Sequence, residues 1–343
     1  MMNKSFTDNE IVDALKDWKS IVSKYQVPNT KKAILQIITS FVPFLIMWAA
    51  MYYSLSISYW ITLGIALINA FFLVRIFIIQ HDCGHSSFLK SNKWNRHIGF
   101  FCSFFSSIPF RYWARVHSFH HGHSGQLEVR EVGDVPFLTV QEYKEAGKLK
   151  KFTYRVFRMP PVLFVVSPIV YFVFSNRFPV FNFKGWGDVI RSQNINNFLL
   201  LVVYILIAWI VGWKEFLLIQ IPLILLFGII AFWFFFVQHQ HEHTYKTIKS
   251  EWDYVLASFK GATFYDIHKV FHWLTGDIGY HHIHHLSSRI PNYNLAVCAS
   301  ENPILMKYSY KLSFLDSLKC MNHKLWDPQS NRMISFKEAK SLY

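Results

Sequence analysis

Histidine is the residue whose spacing in this chain points to chemistry. Of 17 histidines, all but His323 fall within residues 81–123 and 239–285. Three boxes stand out: His81-Asp-Cys-Gly-His85, His117-Ser-Phe-His120-His121 and His281-His-Ile-His284-His285. The first places two histidines at i and i+4, and the second and third each place three at i, i+3 and i+4, which on a helix puts the side chains on one face. Imidazoles gathered in that way form a multidentate metal ligand set. A fourth segment, Gln238-His239-Gln-His241-Glu-His243, adds His239, with His243 as a possible ligand in its place or beside it.

The three boxes plus His239 offer nine imidazoles, more than one six-coordinate ion can use. Two metal ions with positions open to O₂ or water are therefore expected. Imidazole by itself does not choose among zinc, copper and iron. His123 and His282 miss the repeated offsets and read as outer or surface groups, whereas His97, His268, His272 and His323 read as packing residues. A passive metal-binding tract would lack this helical spacing. Ligating rings need an acceptor for the second ring nitrogen, and Asp82, Asp134, Glu242, Asp266 and Asp277 are the carboxylates near enough in sequence to supply one.

These histidines need a scaffold that unites chain segments some two hundred residues apart. Apolar runs at 33–53, 59–79, 194–213 and 216–237 are each long enough as helices to cross a layer of about 30 Å. They read as two helical hairpins, and the histidine windows open where the second and fourth runs end. Of 35 Lys and Arg residues, only Lys214 lies at the far turns and only Arg75 within a run. By the positive-inside rule both termini and the histidines are expected on the cytoplasmic side, in segments 1–32, 80–193 and 238–343. Stretches 98–110 and 161–174 are too short to span and are flanked by arginines, so they are expected to be interfacial or re-entrant.

The composition agrees: 52% of the 343 residues are hydrophobic, 18% aromatic and only 16% charged. The net charge of +14 comes with no nucleic-acid-binding signature and suits anionic lipid headgroups instead. The four cysteines are far apart and form no CxxC pair, so neither a zinc knuckle nor a disulfide framework is indicated. No cleavable signal peptide is expected in the polar first thirty residues. The fold expected is an all-α integral membrane protein. It has four transmembrane helices in two hairpins, interfacial helices, and a cytosolic helical cap that holds the metals in a single domain over 1–343.

Beyond the boxes, further stretches carry a resemblance: His81-Asp-Cys-Gly-His85-Ser-Ser-Phe88, Tyr154-Arg-Val-Phe-Arg158, Glu251-Trp-Asp253 and Arg289-Ile-Pro291-Asn-Tyr293. Over roughly residues 30–315 the chain resembles the membrane histidine-box fatty acid desaturases, in particular the bacterial omega-6 (delta-12-like) acyl-lipid branch. The resemblance implies two irons held by His81, His85, His117, His120, His121, His239, His281, His284 and His285, with O₂ as co-substrate and lipid acyl chains as substrate. It also implies a bacterial inner-membrane location. Three alternating histidines after Gln238, where relatives have one, are a departure and keep His243 in view.

The chain has no haem or flavin module and no cysteine cluster, so electrons are expected from an external carrier, a ferredoxin or a cytochrome b5-like protein. A hydroxylase, epoxygenase or ketolase would use the same boxes on acyl chains, alkanes or carotenoids. A metal transporter would need ionisable residues along its spans, where Arg75 is the only charge. Nothing in the sequence addresses oligomeric state.

Overall fold

The computed structural model describes residues 6–342. Four helices are long and apolar enough to cross a membrane: Thr30–Ser54, Tyr59–Gly84, Gly187–Val211 and Trp213–His239. They fall on the four expected runs but extend beyond them. The second and fourth run on past their apolar stretches, so His81 and His239 sit in their final turns. Asn29 caps the first span, its side chain accepting from Lys32 N–H at 3.1 Å. The first hairpin is tied by a 2.8 Å hydrogen bond between Ser54 and Thr62.

The second hairpin reverses at Gly212, two residues before the turn expected around Lys214 and Glu215. Its φ of 99° is open to glycine and closed to most other residues, and an added Cβ would strike the Glu215 carboxylate. Lys214 and Glu215 instead begin the fourth helix, where a carboxylate suits the positive end of the helix dipole.

The second span is the central one. It is 56% buried over its most apolar window, against 17 to 28% for the other three. Ala66, Ala70, Leu73 and Ile76 pack with Phe44 and Met51 of the first span and Ile219, Leu223 and Phe227 of the fourth. Outward positions such as Leu35, Ile38, Leu201, Trp209 and Ile221 stay exposed, an arrangement suited to lipid rather than water.

Stretch 98–110, expected to be interfacial or re-entrant, is divided between two helices. Helix Asn92–Ser106 packs on the second span, Ser107 (φ 59°) and Pro109 break the chain, and helix Phe110–His123 begins. The break aims the second histidine box across the ends of the spans. Residues 162–177 are helical and bend by 69° from helix Lys148–Phe157. They run beside the fourth span, with the ring of Phe164 5.0 Å from Phe236 and that of Phe172 5.2 Å from Phe227.

Arg75, the one charge within the four apolar runs, is committed to the cap. It donates to the carbonyl of Trp273 and its guanidinium lies 4.2 Å from that ring's centroid. Asp277 faces it, and burial raises that carboxyl to about 6 against the opposing pull of Arg75. A side chain locked in this way does not line an ion path, which weighs against a transporter.

The cap is helical with short strands. Thr263–Asp266 pairs in parallel with Tyr310–Ser313, and Leu325–Asp327 joins Leu138–Thr139 and Arg332–Ile334. Ile11, Leu15, Val22 and Tyr25 near the N-terminus pack with Leu256, Phe259, Ile283, Leu286 and Leu295. That apolar layer backs helix His281–Leu286 and fixes the third box from behind.

Candidate metal centre

Four chain segments converge above the spans. The second span delivers His81, and His85 follows as its C-cap with near-helical backbone. Helix Phe110–His123 presents His117, His120 and His121, the fourth span ends on His239, and helix His281–Leu286 presents His281, His284 and His285. Their side chains form two groups. In His81, His85, His117, His121 and His284 the candidate ligand nitrogens lie within 4.8 Å of one another, and the same holds for His120, His239 and His285.

Short contacts give the geometry. Nε2 of His121 is 3.0 Å from Nε2 of His117 and 3.1 Å from Nε2 of His284. Nε2 of His239 is 3.2 Å from Nε2 of His120 and 2.9 Å from Nε2 of His281. Hydrogen bonds alone cannot satisfy such triplets, because one neutral ring nitrogen either donates once or accepts. Two imidazole nitrogens bound at right angles about 2.1 Å from one ion lie about 3.0 Å apart. The buried Nε2 atoms of His85 and His285 have no hydrogen-bond partner, so they too fit a Lewis acid. His281 stands outside both groups by the 4.8 Å measure, yet its Nε2 meets that of His239.

The outer ring nitrogens show how the rings are oriented. Nδ1 of His81 is 2.9 Å from Oδ1 of Asp82, and both side chains are buried. Asp82 Oδ2 in turn accepts from the backbone N–H of Asn292 at 2.6 Å and from its side-chain amide at 2.9 Å. An ionised carboxylate only accepts, so the His81 proton sits on Nδ1 and the Nε2 lone pair faces the cluster. Nδ1 of His239 donates to the carbonyl of Gly261 at 3.0 Å, with the same result. Trp113, one turn before His117, stacks on it at 4.6 Å, and Phe235 packs beside His120 and His239.

Burial, reinforced by neighbouring imidazoles, holds His85, His117, His121, His281, His284 and His285 well below the ordinary histidine value. Burial also lowers His120 to about 4, against the opposing pull of Asp134. Neutral rings are the form that binds metal. They also bind fewer protons folded than unfolded, where histidine titrates near 6.5, so the metal-free protein keeps its full stability above about pH 6.5 and loses it as the pH falls toward 4. Thermal unfolding of the metal-stripped protein in detergent, followed from pH 7.5 to 4.5, is expected to show a steadily falling Tm. A flat profile would contradict it.

Other histidines lie outside the two groups. His243 is exposed, its ring 6.3 Å from that of Tyr310. His241 is fully buried, stacks on Tyr310 at 4.3 Å and has no partner for either ring nitrogen. His282 is also fully buried, against Phe259 at 5.5 Å, so it is not a surface group. His123 turns back to the carbonyl of Phe119, and His268 caps helix Lys269–Leu274. Among the candidate carboxylates, Asp82 touches a clustered ring; Asp134 lies near His120 and pairs with the buried Lys246 at 3.8 Å. Glu242 pairs with Arg332, Asp277 faces Arg75 and Asp266 is exposed, so none of these three holds a ring of the cluster.

Residues 57–310 match the sequence pattern of the fatty acid desaturase family. The chain belongs to that family. A "Fatty acid desaturase" of Bacillus subtilis is 38% identical over 98% of this chain and 95% of its own length. An "sn-1 oleoyl-lipid 12-desaturase" of Anabaena variabilis is 27% identical over 79% of this chain and 76% of its own. An endoplasmic-reticulum "Omega-3 fatty acid desaturase" of Vigna radiata is 30% identical over 68% and 62%. The chain is thus a desaturase, an integral membrane enzyme that desaturates fatty acids, with a histidine cluster able to hold metal.

Two features of the desaturase's site were not singled out from the sequence. Asn292 holds Asp82 across 210 residues, a contact that no local pattern announces. Trp113 sits one helical turn from His117, and that offset could have flagged it.

Proposed function

We propose that His81, His85, His117, His120, His121, His239, His281, His284 and His285 hold two iron ions and that the whole chain, 1–343, works as one unit on a lipid-linked acyl chain. The convergence of imidazoles into two adjoining groups carries this reading. When bound, a redox-active metal pair supplies the oxidising power that an unactivated methylene requires, which redox-silent zinc does not. The balance is one O₂, two electrons and two protons consumed, a CH₂–CH₂ unit converted to a cis CH=CH unit, and two waters released.

The chain's own part is positional. Asp82 and the Gly261 carbonyl fix tautomers, the apolar layer behind residues 281–286 holds the third box rigid, and Trp113 and Phe235 keep water from the cluster's flanks. Electrons come from an external ferredoxin or cytochrome b5-like carrier, attracted to the basic face. The charge distribution supports a cytoplasmic face for the cap and both termini, in a bacterial inner membrane. The long motif match supports the 12-position. The Anabaena relative's name prints that position, while the Vigna name prints omega-3 and the Bacillus name prints none.

Expression in a host lacking polyunsaturated lipids, with mass-spectrometric location of new double bonds, tests the reading. New diene in the glycerolipid fraction is expected. Hydroxy or epoxy products, or no oxidised lipid with a working electron donor, would overturn it; a bond at another carbon would remove the 12-position alone. For the fourth segment, His243→Ala should leave bound iron and product within about twofold, as for an exposed side chain, whereas His239→Ala should lose both. The reverse pattern would exchange the two assignments.

A further inference from the structure

Helix Phe110–His123 has two working faces. His117, His120 and His121 look into the metal cluster. Arg111, Ala114, Arg115 and Ser118, spaced i, i+3, i+4 and i+7, share the adjacent face and line an open groove of about 470 Å³. The other walls are Cys83, Gly84 and Ser86 at the end of the second span, Asn92 and Arg96 at the start of helix Asn92–Ser106, and Gly185 and Asp188 at the start of the third span. Because two spans end at its walls, the groove opens at the level of lipid headgroups.

Three arginines face this groove, and one is neutralised: Arg111 pairs with Asp188 at 2.7 Å. Among the described residues no carboxylate lies within ion-pair reach of Arg96 or Arg115, although the guanidinium of Arg115 rests 5.8 Å from the centroid of Trp186. Two unpaired guanidiniums, with the hydroxyls of Ser86 and Ser118 and the amide of Asn92 beside them, form a donor-rich recess with a net positive charge. Guanidinium is the side chain best shaped for bidentate bonds to phosphate oxygens.

The geometry points to a headgroup subsite in which Arg96 and Arg115 hold the phosphodiester of the glycerophospholipid whose acyl chain is desaturated. The inference rests on the lipid-linked reading above and names the lipid class. Gly84 and Ala114 close the space between this groove and the histidines, since a Cβ at Gly84 would lie 3.0 Å from the Cβ of Ala114. The groove and the histidines thus lie on two sides of the crossing between the second span and helix Phe110–His123. Arg96 and Arg115 are positioning residues.

The test compares two substrates that differ only in the headgroup, dioleoylphosphatidylcholine and dioleoylglycerol, in neutral detergent micelles with the iron-loaded enzyme. Arg96→Gln with Arg115→Gln is expected to raise KM for the phospholipid at least about tenfold and to leave kcat, bound iron and KM for dioleoylglycerol unchanged, since two charge-assisted contacts are lost only where a phosphate is present. Retention of phosphatidylcholine by the purified protein in native mass spectrometry should fall in parallel, and the paired lysine variants should restore it in part. Lys150→Gln with Lys151→Gln removes the same charge elsewhere and should change neither KM.

Equal shifts on both substrates, or none on either, would sink the groove assignment while the lipid-linked reading stood. A wild-type enzyme that desaturates oleoyl-CoA and neither lipid would overturn both.

Discussion

Replacing His284 by alanine is expected to abolish product and to cost the protein at least one metal ion. His284 touches more of the five-membered group than a single ligand bond requires: its Nε2 is 3.1 Å from that of His121, and its ring lies 4.5 Å from His81 and 5.1 Å from His85. The rings are buried, and His284 is among the most deeply enclosed of them, so its nitrogen has no neighbouring side chain ready to take its place. A loss of about a thousandfold or more corresponds to roughly 4 kcal/mol of transition-state stabilisation, a modest figure for losing a catalytic metal. His120→Ala should do the same from the second group, where its Nε2 meets that of His239 at 3.2 Å. Iron per chain, measured by mass spectrometry of the purified protein, should fall from two to one or fewer in each variant. Activity and iron that survive either change would take that residue off the proposed list.

The second large effect is expected at Asp82, which touches one clustered ring and is not itself counted among the nitrogens. Its two oxygens divide the work between His81 Nδ1 and the Asn292 segment. Asp82→Asn keeps the volume but introduces donor hydrogens, so the amide can bond Nδ1 of His81 and move the ring proton to Nε2, where the lone pair was needed. Iron affinity should drop about 10- to 100-fold, with activity falling alongside it. Asp82→Ala should add a stability loss of about 3 kcal/mol or more, because the buried N–H of Asn292 is left without an acceptor and the cap loses a tie to the second span. Titration of the stripped variants with Fe(II) and thermal unfolding in detergent separate the two effects. Unchanged iron affinity in Asp82→Asn would show that the tautomer is fixed elsewhere.

Legibility from sequence was greatest where the signal is periodic. The four spans are continuous apolar runs, and the three boxes carry helical offsets, so both can be read one residue at a time. Breaks were less legible. The reversal falls at Gly212 because one residue must adopt positive φ, while the charges of Lys214 and Glu215 were the more visible cue. The apolar stretch 98–110 hid a break at Ser107 and Pro109, since hydrophobicity reports burial and not direction.

Among residues 239–243, sequence alone could not choose a ligand, because alternate histidines in a helix-terminating segment point in different directions. The fourth helix persists to His239 and stops. That endpoint aims His239 at His120 and sends His241 toward Tyr310 and His243 to the surface.

By itself the sequence determined the class of protein, the number of spans and the histidines worth watching, because helix period and membrane thickness are fixed lengths that residue spacing must satisfy. The tertiary structure alone decided how the rings divide into two groups, which carboxylate orients His81, and that a helix carrying three of them turns Arg111 and Arg115 to a groove beside the ends of two spans. Those outcomes depend on contacts such as Asp82 with Asn292 and Arg111 with Asp188, formed between segments 77 to 210 residues apart, for which no local pattern is required.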